Sequence, residues 1–242
     1  MPGPFLSAHW RDLAMLNYAV PPALLAPYVP AGTELDTWHG TVYASVIGFR
    51  FLRTRVLGIS VPGYRDFDEV NLRFYVRRHA DDGMRRGVVF IRELVPHRAI
   101  AWTARAWYNE PYRALPMRHD IARDASGECT TAGYSWKHAG EWGGLTVETD
   151  GPFRTLQAGS EAEFITEHYW GYTRQRDGST IEYSVRHPRW RVAHARHASL
   201  RAKVAALYGP QFVDVLSQPP TSAFLAEGSD VVVFRPTRVP GT

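Results

Sequence analysis

The chain has 242 residues, 45% of them hydrophobic and 21% charged, a balance that fits a single folded domain over 1–242 with enough apolar material for a sizeable core. Its formal charge of +4 comes from scattered arginines without a run of like charge, which argues against nucleic-acid partners. One cysteine, Cys129, excludes an intrachain disulfide and fits a reducing compartment.

Only two lysines occur, Lys137 and Lys203, so amine catalysis has two candidate side chains. The N-terminus lacks the basic and long apolar regions of a secretory signal. Residues 13–33 carry no charge, but Pro21, Pro22, Pro27 and Pro30 interrupt them, which rules out a membrane-spanning helix. The expected location is the cytoplasm, with no membrane partner.

In chain order, a short helix is expected over 22–29, with proline in its first turn. Residues 41–52 are rich in aromatic and β-branched side chains and predict a strand. Strands at 69–78 and 87–95 flank the turn Ala80-Asp81-Asp82-Gly83, a hairpin signal. Further strands are expected at 99–107, 133–137, 144–147, 180–185 and 231–235. The clearest helix is 161–172: Ser160 and Glu163 form a capping box, and Phe164, Ile165, His168, Tyr169 and Tyr172 make an apolar stripe. Another helix is expected at 210–216. Many short strands with few helices predict a mainly β barrel or sandwich. Cys129, in a Gly/Ser/Thr-rich segment, reads as a turn residue.

The segment Glu69-Val70-Asn71-Leu72-Arg73-Phe74-Tyr75-Val76 alternates strictly. An acid, an amide, a guanidinium and a phenol share one face, which is either a solvated surface or the wall of a polar pocket. In Arg92-Glu93-Leu94-Val95-Pro96-His97-Arg98, a strand breaks at Pro96. His97 there can move protons near neutral pH and Arg98 can grip a carboxylate, unless both belong to a surface loop. Arg11 adjoins an apolar run and needs an acidic partner, for which Glu69 is the candidate. His194 and His197 have helical spacing but no carboxylate or thiol nearby, and Asp66, Asp68 and Glu69 read as a wet turn. No metal and no cofactor is therefore expected, and none of the common nucleophile, phosphate or dinucleotide motifs is present.

Several segments together resemble the YqjF-like family. They are Trp10-Arg11-Asp12-Leu13 through Tyr28-Val29-Pro30 to Glu34-Leu35-Asp36, the strand from Glu69 to Val76, and Asn109-Glu110-Pro111-Tyr112. The segment from Ser160 to Tyr172 and Asp230-Val231-Val232-Val233-Phe234 also fit. That family in turn resembles the acetoacetate decarboxylase-like superfamily, which implies a closed antiparallel β-barrel around a small-molecule cavity. The resemblance places Arg11 on the decarboxylase's active-site arginine and Glu69 on one catalytic carboxylate. It also aligns Arg92-Glu93-Leu94 with the segment before the catalytic lysines. The departures decide the chemistry. Pro96-His97-Arg98 stands where the decarboxylase has Pro-Lys-Lys, and Ser45 falls on its second carboxylate, so imine-based decarboxylation is not carried over. Lys137 reads as a solvated strand residue.

These readings imply a pocket with Glu69 and His97 as acid–base groups and Arg11, Ser45, Asn71, Arg73, Glu93 and Arg98 as ligand-binding groups. Trp102, Trp107 and Tyr108 are candidates for an apolar wall. The expected ligand is a small organic molecule, suited to carry a negative charge, and self-association into a homo-oligomer is admitted. Two functions remain open: a lyase or hydratase working by acid–base chemistry without a Schiff base, or a non-catalytic carrier or sensor.

Overall fold

In the computed structural model, residues 3–242 are described, with side chains of 104–108 excepted. The chain runs through β1 (Pro4–Ala19), α1 (Pro22–Leu25), β2 (Glu34–Leu35), β3 (Tyr43–Val56), β4 (Phe67–Ala80), β5 (Gly83–Val95) and α2 (Arg98–Tyr108). It continues with β6 (Tyr112–Ala114), β7 (Met117–Arg123), β8 (Cys129–His138), β9 (Glu141–Glu148), β10 (Arg154–Thr155) and α3 (Glu161–Thr166). The last third holds β11 (Trp170–Arg174), β12 (Thr180–Arg186), β13 (Arg191–His194), β14 (His197–Arg201), α4 (Val204–Leu207), α5 (Val213–Leu216), β15 (Ser222–Phe234) and β16 (Thr237–Arg238).

Seven strands close on themselves in the order β15-β1-β3-β4-β5-β11-β12, and β12 returns to β15 through Val185↔Val233 and Arg186↔Val232. The expected closed barrel is therefore present, with one amendment. The β5·β11 step is parallel (Trp170↔Gly87, Gly171↔Val88), because the chain travels through the outer sheet and α3 before it returns. Gly87 permits that approach: a Cβ there would lie 2.7 Å from the Trp170 carbonyl.

β1 shows why the start of the uncharged run, residues 13–19, is a strand. Leu13 and Met15 point into the barrel core, whereas Ala14 and Leu16 point into a second, outer core. A strand buried on both faces reads as continuous apolar sequence. The outer core lies under a four-stranded sheet, β14-β9-β8-β7, and beside α4 and α5. β4 faces the same two environments: Tyr75 belongs to the inner core, and Val70, Leu72, Phe74 and Val76 to the outer one.

Three local expectations are corrected. Residues 99–107 lie in helix α2 rather than a strand, since the alanine-rich sequence favours helix once Pro96 has ended β5. The helix expected over 161–172 stops at Thr166. Ser160 caps it as expected, its hydroxyl accepting from the Glu163 N–H at 3.2 Å, but from Trp170 the chain joins the barrel as β11. Cys129 is no turn residue: it opens β8, is buried, and its thiol is pushed up to about 11 by burial and by the Asp12 charge.

Candidate functional site

A cavity of about 580 Å³ occupies the barrel and reaches the surface where the half-exposed Leu57, Val61 and Tyr64 line it. Its polar floor is assembled by strand register. Asn71 on β4 lies opposite Glu93 on β5, which lies opposite Tyr112 on β6. Glu69 sits two residues before Asn71 on the same face, and Glu110 precedes Tyr112 by the same interval. A bulge helps aim Glu93: Leu72 pairs with Arg92 and Arg73 with Phe90, leaving Ile91 unpaired. The extra residue resets the alternation, so Phe90 and Glu93 both line the cavity while Arg92 reaches outward to the Leu207 carbonyl.

The hydrogen bonds are specific. Asn71 Nδ2 donates to Glu69 Oε1 at 3.0 Å, and the Tyr112 hydroxyl donates to Glu69 Oε2 at 3.1 Å. Tyr183 donates to Glu110 Oε1 at 2.8 Å. Tyr183 holds that position by lying on Gly171, where a Cβ would meet its ring at 2.2 Å. Asn71 Oδ1, Glu93 Oε2 and Arg73 Nε are buried without a protein partner. Among the described residues, Arg73 has no carboxylate within ion-pair distance.

Three buried glutamates share the wall, and of the three only Glu69 feels the Arg73 charge, so they cannot all ionise freely. Burial outweighs the hydrogen bonds from Asn71 and Tyr112 and raises Glu69 to about 7. Burial likewise raises Glu110 to about 7, against the hydrogen bonds from Tyr183 and Thr173. Glu93 is driven further up by burial and by the charges of Glu110 and Glu69. The floor thus biases Glu93 toward its acid form beside two carboxyls poised between their forms near neutral pH. Burial and the neighbouring carboxylates push Tyr112 and Tyr183 well above the ordinary phenol range, so both remain donors.

Two histidines also line the cavity. His168 Nε2 lies 3.1 Å from Asp36 Oδ2, its Nδ1 has no protein partner, and burial lowers its pKa to about 4. Burial alone would raise Asp36, but hydrogen bonds from His168 and Arg86, with the Arg86 charge, hold it at about 2. His187 stacks on Trp190 at 4.1 Å and donates from Nδ1 to the Pro188 carbonyl.

Of the residues singled out in the sequence, Glu69, Asn71, Arg73 and Glu93 converge on the cavity wall. Arg11 does not. Trp10 points inward, so alternation turns Arg11 outward, where it meets Asp230 at 3.4 Å rather than Glu69. Asp12, at φ 57 within a register shift, then returns Leu13 to the inside. Ser45 faces the barrel interior but does not line the cavity: it is buried and bonded to Asn17 and Tyr75 at 2.7 Å each. His97 packs its ring at a tilt against Tyr64, centroids 4.8 Å apart, and does not line the cavity, and Arg98 is exposed on α2. Trp102 is 63% exposed and lines nothing, while the side chains of Trp107 and Tyr108 lie outside the described residues. Lys137 is exposed on β8, and Lys203 pairs with Glu141, so no lysine lines the cavity. His194 and His197 are exposed on separate strands. No group of three metal-ligating side chains with metal-binding geometry occurs among the described residues. Sequence reasoning missed Glu110, Tyr112, Tyr183, His168 and His187 as wall residues, although Asn109-Glu110-Pro111-Tyr112 already stood out as a motif.

A closed seven-stranded barrel with buried carboxyls on its inner wall defines an acetoacetate decarboxylase-like fold. Acetoacetate decarboxylase from Legionella pneumophila superposes with a TM-score of 0.65 at 16% identity, over 98% of this chain and 88% of that one. The enduracididine biosynthesis enzyme MppR complexed with pyruvate superposes with a TM-score of 0.68 at 10% identity, over 98% and 91%. Residues 7–230 match DUF2071, described as "Uncharacterized conserved protein (COG2071)", and the chain belongs to that family. The Bacillus subtilis protein YqjF is 29% identical over 188 residues, covering 77% of this chain and 74% of its own.

Proposed function

We propose that the cavity binds a small keto or carboxylate compound and acts on it as a lyase or hydratase, by acid–base chemistry without a Schiff base. The observation that carries this reading is the wall itself. Glu69 and Glu110 are poised near neutrality, Glu93 is pushed toward its acid form, and Arg73, without an ion-pair partner among the described residues, lines the same cavity, where no lysine reaches. Arg73 takes the role first expected of Arg11 and Arg98, gripping a carboxylate or an enolate oxygen. One carboxylate removes a proton from the carbon next to the carbonyl. A neighbouring carboxylic acid protonates the departing hydroxyl, which leaves as water. His187 and His168, both neutral, bound the site without contributing charge. No described helix is long and apolar enough to cross a membrane, and we place the protein in the cytoplasm.

The test follows 2-oxo and 3-hydroxy acids by NMR with wild type, Glu69→Gln and Arg73→Met. Glu69→Gln should bind but turn over about 10²–10⁴-fold more slowly, and Arg73→Met should lose binding. Full activity in Glu69→Gln would refute the assignment. A ligand bound tightly and recovered unchanged would favour the carrier function instead, which the largely apolar wall also supports.

A further inference from the structure

The cavity is larger than its polar floor requires. At about 580 Å³ it accommodates roughly twenty water-sized groups at about 30 Å³ each, and a four-carbon keto acid fills roughly a third of that. Its two ends differ in chemistry. Glu69, Asn71 and Glu93 at the floor are no more than 2% exposed, and the only charged lining groups among the described residues cluster there with Arg73 and Glu110. Between floor and mouth the wall is aromatic: Trp10 packs edge-on against Phe49, Phe51 and Trp190 with centroids 5.3, 5.7 and 6.3 Å away.

The mouth is apolar as well. Leu57 is 54% exposed, Val61 47% and Tyr64 38%, and all three line the opening together with Ile100 of α2. Among the described residues, every exposed large apolar side chain except Met84 belongs to residues 56–64 or to α2, the segments that edge this mouth. Exposed apolar side chains gathered at the rim of a cavity, rather than scattered, mark a surface that meets apolar matter.

We propose that the natural ligand is amphiphilic, with a keto or carboxylate head at the floor and an apolar tail of roughly ten carbons running along the aromatic wall to the mouth. This rests on the carboxyl cluster being the head-group site. The tail removes water from the wall along its whole length, so affinity grows with chain length until the tail reaches the mouth.

Calorimetric titration of a straight-chain series from pyruvate to 2-oxododecanoate tests this on wild type, Arg73→Met and Val61→Asp. Affinity should rise about fourfold per added methylene and level off near ten carbons. Val61→Asp, at a half-exposed rim position, should weaken the longest acids more than tenfold and leave pyruvate unaffected. A flat series, or one in which pyruvate binds best, overturns the inference. If short acids bind through Arg73 without any gain from length, the inference falls and the head-group site stands. If the gain with length survives in Arg73→Met and is matched by alkanols, the tail channel stands and the head-group site falls. Absence of binding across the series overturns both.

Discussion

Replacing Glu69 by glutamine removes a titrating group from the cavity floor and keeps its shape. Burial raises Glu69 to about 7 in the folded protein, against about 4.3 in an unfolded chain. Between those values the folded state holds a proton that the unfolded chain has released. Stability from this group is therefore complete below about pH 4, declines by about 1.4 kcal/mol per pH unit above it, and is lost as pH rises through 7. Between pH 5 and pH 8 the loss amounts to about 3 kcal/mol, or roughly 6–12 °C in melting temperature for a chain of this size. Glutamine has nothing to titrate, and its amide can donate to Asn71 Oδ1, now unpartnered, once the Asn71 amide turns over. Urea unfolding at pH 5, 6.5 and 8 should find the variant within about 1 kcal/mol of wild type at pH 5 and ahead by about 3 kcal/mol at pH 8. Parallel profiles would refute the reasoning, because they would mean that Glu69 titrates alike in both states.

Gly171→Ala should force the Tyr183 ring off its seat and weaken its bond to Glu110, lowering stability by about 1–3 kcal/mol and shifting the fluorescence of the adjacent Trp170. Asp36→Ala strands His168 and Arg86, and urea unfolding should record a loss of about 2–3 kcal/mol near pH 7. Because Asp36 is held at about 2, that difference should persist above about pH 3.9 and vanish as pH falls through 2. Borohydride reduction in the presence of pyruvate should leave the intact mass unchanged, since Lys137 and Lys203 lie outside the cavity. A stable adduct on either lysine would return Schiff-base chemistry to the protein.

The strand from Glu69 to Val76 was legible because both of its faces are buried in chemically different surroundings, and strict alternation records that difference. β1 was hidden by the same physics acting differently: both its faces meet apolar cores, so its sequence has no period. The inward turn of Glu93 and the outward turn of Arg11 each depend on one extra residue, at Ile91 and Asp12, which reverses alternation without a compositional trace. Two local readings misled. In 161–172 the helical spacing was real, but the free edge of β5 at Gly87 and Val88 claims Trp170 and Gly171 for a strand. Residues 99–107 also read as a strand, and their alanine content decided otherwise once Pro96 had ended β5. Of the carboxyl cluster, Glu69 and Glu93 stood out from the sequence. Glu110 stood out only within a motif and not as a wall residue, because its partner Tyr183 comes from β12, 73 residues later.

The barrel is shut by seams of unequal strength. Long ladders join β15, β1, β3, β4 and β5, whereas the β11–β12 hairpin is fastened by Gly87 and Val88 on one side and by Val232 and Val233 on the other. This hairpin is a loosely nailed stave, and its two-pair seams should be the first of the barrel to open. Its amides should exchange with solvent well before those of β1 or β4. Each such opening also carries Tyr183 away from Glu110, so water and protons reach the cavity floor through the side of the barrel as well as through its mouth.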